Sequence, residues 1–83
     1  MFDVVFSVHA RDMLKEREIS EEWVILTINS PDKSEKRAED NNWHYTKSIP
    51  ERENRILRVV VNQEVNPYRV VTVFFDRRLR RRK

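Results

Sequence analysis

The chain has no glycine and no cysteine among its 83 residues. Without cysteine there are no disulfides, no thiolate metal ligands and no thiol nucleophile. Without glycine, neither a phosphate-cradling P-loop nor a dinucleotide fingerprint can form, because both use glycine to bring backbone against phosphate. Turns then fall to asparagine, aspartate and proline, which gather at "EDNN" (39–42), "IPEREN" (49–54) and "NQEVNP" (62–67). No apolar run approaches the roughly 18 residues that cross a bilayer, and no secretory signal opens the chain. These absences predict a soluble, cytoplasmic protein with no membrane partner. With two histidines and no cysteine the donor set for a metal is poor, so neither a metal nor a cofactor is expected.

What is present fits one small domain. Hydrophobic residues make up 39% and charged residues 37%, so the core must be thin, with two Trp, two Tyr and four Phe available to anchor it. The net charge of +3 is unevenly spread. Residues 76–83 carry +5 and residues 1–75 carry −2, which together give that total. The body is slightly acidic and the C-terminus is a concentrated cation, so attraction to a polyanion depends on local placement. The chain therefore divides into a domain over 1–76 and a basic tail over 77–83.

Pattern and punctuation give an α+β order. Residues 2–7, "FDVVFS", predict a short strand, and Ser7 suits a helix N-cap before residues 8–18. Val8, Met13, Leu14 and Arg17 fall near one face of that helix. Ser20 is a second N-cap, Glu21 and Glu22 favour a helix start, and Ser30-Pro31 ends the helix over 21–29. Strands are predicted over 32–39, 43–49, 55–62 and 68–76, from aromatic and β-branched content in the last three. Short turns between them predict an antiparallel sheet with the two helices against one face. In the last strand, strict alternation places Val71, Val73 and Phe75 on one face and Tyr68, Val70, Thr72 and Phe74 on the other.

The stretch "VHARDMLKEREISEEWV" (8–24), Pro31, "HY" (44–45), "LRVVV" (57–61) and "VVTVFFD" (70–76) resemble a known family. The chain is similar to the domain of unknown function 4258 family, placed near the BrnT and RelE toxin ribonucleases. The resemblance implies a helix pair followed by an antiparallel sheet. It also implies a ribonuclease toxin of a toxin–antitoxin type, with RNA as substrate and an antitoxin-like protein as partner.

Metal-independent RNA cleavage needs a base for the 2′-hydroxyl, a cation for the developing phosphorane and an acid for the leaving oxygen. His9 lies in a first helical turn, where the positive end of the dipole disfavours imidazolium, so a neutral ring there can act as a base or simply pack. Tyr45 offers a phenol to a phosphate or a base, or a packed aromatic with a wet hydroxyl. His44 alternates with it, so only one of the two points into a given cleft. Arg58 interrupts the apolar run "ILRVVV" and requires either an anionic ligand or a carboxylate partner. His9, Tyr45 and Arg58 are thus the catalytic candidates, and an enzyme requires them to converge on one accessible cleft. Arg77, Arg78, Arg80 and Arg81 are the nucleic-acid-binding candidates, or else a solvated fringe. The alternative to an RNA-cleaving toxin is a non-catalytic protein- or nucleic-acid-binding module of the same fold.

Overall fold

A computed structural model describes residues 4–79. The order is β1 (Val4–Phe6), α1 (Val8–Arg17), α2 (Glu21–Asn29), β2 (Lys33–Arg37), β3 (Asn42–Ile49), β4 (Arg55–Asn62) and β5 (Tyr68–Phe75). Short 3₁₀ turns at Pro50–Arg52 and Arg77–Leu79 follow β3 and β5. The fold is α+β, with the helices first and the sheet strands largely after them, as the punctuation predicts. Among the described residues no helix is long and apolar enough to cross a membrane.

The caps explain the helix boundaries. Ser7 Oγ accepts from the Ala10 N–H at 3.0 Å and Ser20 Oγ from the Trp23 N–H at 3.2 Å. The end of α1 needs a left-handed residue, and with no glycine available Glu18 adopts φ 54°. The Ile19 N–H then reaches the Leu14 carbonyl at 2.9 Å, and both side chains are buried at the helix end. Ala10 and Leu14 face inward, whereas Val8 is 78% exposed and lies off the expected apolar stripe.

The sheet order is β1-β5-β4-β3-β2. The four later strands pair antiparallel, but β1 runs parallel to β5, so the sheet is mixed rather than antiparallel throughout. Both helices and strands β2 to β4 lie between β1 and β5 in sequence, well beyond the dozen or so residues a parallel connection requires. One buried cluster draws on α1, α2 and strands β3 to β5, and includes Leu14, Val24, Tyr45, Leu57, Val59 and Val73. Leu57, Val59 and Val61 are completely buried, each worth about 1.5–3 kcal/mol for a side chain of this type. Their alternates, Ile56, Arg58 and Val60, belong to the opposite face of β4.

Strict alternation fails in β5. The pairing slips between Val60 and Val61, so that Val60 opposes Thr72 while Val61 opposes Val70. Val71 is the extra residue of a bulge, and Val70 and Val73 both enter the core. The expected grouping of Val70 with Thr72 and Phe74 is therefore corrected. At the bulge, Ser7 Oγ donates to the Val71 carbonyl at 2.9 Å. One hydroxyl thus caps α1 and ties it to the bulged strand.

Candidate functional site

The face of the sheet opposite the buried cluster carries a connected line of polar groups. Register places His44 on β3 and Phe74 on β5 around Arg58 on the central strand: Thr46 and Phe74 are directly opposite Arg58, and His44 is opposite Val60. Arg58 therefore reaches diagonally to both neighbouring strands, a distance that long side chains span. Its Nε donates to Asp76 Oδ2 at 2.9 Å, and its Nη1 donates to His44 Nδ1 at 3.0 Å. Asp76 sits just past β5, held in line because its backbone N–H donates to the Ile56 carbonyl at 2.8 Å.

The donor pattern determines the histidine tautomer. A guanidinium can only donate, so His44 Nδ1 must be the acceptor and the ring proton lies on Nε2. That N–H faces Asp40 Oδ2 at 2.9 Å. His44 is consequently neutral in this arrangement, with both ring nitrogens engaged. A hydrogen bond from the Asn42 backbone N–H, aided by the His44 contact, holds the Asp40 carboxyl below the usual carboxylate value.

At the other end, Asp76 Oδ1 accepts from the Arg78 backbone N–H at 3.0 Å and from Arg78 Nε at 3.4 Å. Burial pushes the Asp76 carboxyl up, but the Arg78 and Arg58 hydrogen bonds and the Arg58 charge outweigh it and hold the group below its ordinary value. The Arg58 and Asp76 side chains are 6% and 3% exposed, whereas that of Arg78 is 82% exposed. The line Asp40–His44–Arg58–Asp76–Arg78 thus runs from solvent, through the protein, and back to solvent.

The three catalytic candidates are not brought together. His9 is exposed in the first turn of α1. Tyr45 belongs to the buried cluster on the helix-facing side, stacked beside Trp43 at 6.4 Å and hydrogen-bonded from Gln63 Nε2. Burial pushes its phenol pKa up, against the Gln63 hydrogen bond. Arg58 faces the other way and is bound to a carboxylate. Arg77 and Arg78 begin the 3₁₀ turn after β5, while Arg80 and Arg81 lie outside the described residues. Sequence reasoning passed over His44 and Asp76 as partners of Arg58, because only the strand register reveals the two diagonals. Among the described residues no group of three or more His, Asp or Glu side chains forms a metal ligand set.

The profile of the family described as Domain of unknown function (DUF4258) matches residues 6–75, most of the chain. The chain belongs to the DUF4258 family. The matched span of this DUF4258 domain includes His44 and Arg58 and stops one residue before Asp76. No curated protein and no solved structure matches the chain.

Proposed function

We propose that this DUF4258 domain binds RNA through the cationic surface at the end of β5, beginning at Arg77 and Arg78 and continuing through Arg80 and Arg81. The observation that supports it is the Arg58–Asp76–Arg78 connection. Asp76 accepts two hydrogen bonds from Arg78 and one from the buried Arg58, so the first residues of the basic segment are tied to the central strand. A purely solubilising fringe needs no such anchor. Tying the segment down lowers the ordering cost when it meets a phosphate chain. Arg58 then acts as a scaffold for the anion-binding segment rather than as a phosphate ligand. The test is fluorescence anisotropy with a labelled single-stranded RNA. Arg77→Gln with Arg78→Gln should weaken binding by tenfold or more in low salt, and unaltered affinity would rule the reading out.

A second reading is RNA cleavage by a toxin of the RelE and BrnT type, opposed by an antitoxin-like protein. The observation favouring it is His44, a neutral imidazole between Asp40 and Arg58. In that reading His44 replaces His9 and Tyr45 as the proton-transfer group. Arg58 is a positioning residue that keeps the ring proton on Nε2. His44→Ala should then abolish cleavage of a labelled RNA without loss of RNA binding, and His9→Ala should leave the rate unchanged.

A further inference from the structure

A cleft of about 710 Å³ lies at the end of the sheet where β4 begins and β5 finishes. Its volume is in the range of small-molecule sites, roughly 300–1,000 Å³. Four arginines line it: Arg17 from the last turn of α1, Arg52 from the 3₁₀ turn, Arg55 from β4 and Arg77 beyond β5. Arg52 is committed to the fold. Its Nη2 donates to the Glu18 carbonyl at 2.6 Å, and its guanidinium lies 5.4 Å from the Trp23 ring centroid and 5.7 Å from that of Phe75.

The other three are differently placed. Among the described residues the Arg17 and Arg77 side chains have no hydrogen-bond or ion-pair partner. Arg55 has only Glu53, at 4.0 Å and largely in solvent. The acid lining the cleft, Asp76, is already held by Arg58 and Arg78. The cleft therefore has surplus positive charge with donors to spare, and Phe74 and Ile56 give it an apolar wall. Guanidinium groups match phosphate oxygens geometrically, and an aromatic ring beside them suits a nucleobase.

We infer that this cleft takes a nucleoside monophosphate unit, its phosphate on Arg17, Arg55 and Arg77 and its base against Phe74 and Ile56. The inference rests on the RNA reading and names where an RNA chain is gripped. The same unit can arrive as a free mononucleotide or within a polymer, and the probes separate the two.

The experiment is a titration of the whole ¹⁵N-labelled chain with AMP, inorganic phosphate and a short oligoadenylate, followed by amide shifts. AMP and the oligonucleotide should both move the amides of Arg17, Ile56, Phe74 and Arg77, and phosphate alone should bind more weakly. Arg17→Gln and Arg55→Gln, both at exposed side chains, should each weaken AMP about tenfold, the loss expected of one hydrogen bond to a charged group. Phe74→Leu should weaken AMP but not phosphate. Phosphate binding as tightly as AMP would overturn the nucleotide assignment. Oligonucleotide binding with unmoved cleft amides and unaffected Arg17 and Arg55 variants would overturn the cleft and leave the RNA reading standing. AMP binding in the cleft with no oligonucleotide binding would support the cleft and overturn the RNA reading.

Discussion

Removing the Asp76 carboxylate should unfold much of what holds this domain together. In Asp76→Ala the Arg58 guanidinium, 5% exposed, keeps only His44 Nδ1 as a partner among the described residues. Breaking a buried ion pair from one side costs about 3–5 kcal/mol, since the remaining charge is stranded. A chain of 83 residues has a total stability of about 4–12 kcal/mol at roughly 0.05–0.15 kcal/mol per residue. The substitution therefore removes a large part of the margin. With a urea slope of about 1 kcal/mol/M, a loss of 3 kcal/mol moves the midpoint by about 3 M. Asp76→Asn is the milder form: one oxygen survives, for either Arg78 or Arg58, and an amide donor faces the other. Arg58→Met with Asp76→Leu removes both charges and should recover most of the loss, because an apolar pair of similar volume is often neutral or better. Urea denaturation followed by tryptophan fluorescence measures the parent chain, these three variants and the single variants Arg58→Met and Asp76→Leu. If Asp76→Ala costs less than about 1 kcal/mol, or if the double variant loses the sum of its single losses, the ion pair is not the buried, coupled unit described.

Three further outcomes follow from particular groups. Ser7→Ala should cost about 2 kcal/mol in the same denaturation experiment, since it removes the α1 cap and the hydrogen bond to the Val71 carbonyl; a loss below 1 kcal/mol would show that water replaces both bonds. Glu18→Gly should stabilise by about 1 kcal/mol, because a non-glycine residue at φ 54° bears a left-handed penalty, read as a rise in Tm of about 4–8 °C for a domain of this size. With Asp76 held below its ordinary carboxylate value, its contribution is present above the unfolded pKa and is lost as pH falls through the lower folded value. Stability should thus stay level on this account down to about pH 5 and fall below about pH 4, and the fall should be shallower in Asp76→Asn.

The helices were legible because their signals are local. Ser7 and Ser20 before apolar residues, and Pro31 after them, need no knowledge of the rest of the chain. The strands β3, β4 and β5 were legible from composition in the same way. What escaped was non-local. The bulge at Val71 leaves no mark in an apolar run whose residues suit either face, so alternation misassigned Val70. The parallel pairing of β1 depends on where the last strand comes to rest. Arg58 was conspicuous as a charge inside "ILRVVV", and the need for a partner was deducible. The identity of that partner was not, because Asp76 read as the end of a strand and His44 as an alternate of Tyr45. Only the register, with Thr46 and Phe74 opposite Arg58, brings the two diagonals together. His9 and Tyr45 were chosen for their chemistry, and topology places them apart from Arg58.

The most direct test of the RNA reading is the salt dependence of binding to a single-stranded RNA, for the whole chain and for one ending at residue 79. The shorter chain keeps Asp76, Arg77 and Arg78 and loses the four cations of 80–83. At about 0.7 per phosphate contact, the slope of log K against log salt should flatten by about one to three, and residual binding should still disappear in the Arg77→Gln/Arg78→Gln background. A slope identical in both chains, or no measurable RNA binding by the whole chain in low salt, would contradict the account.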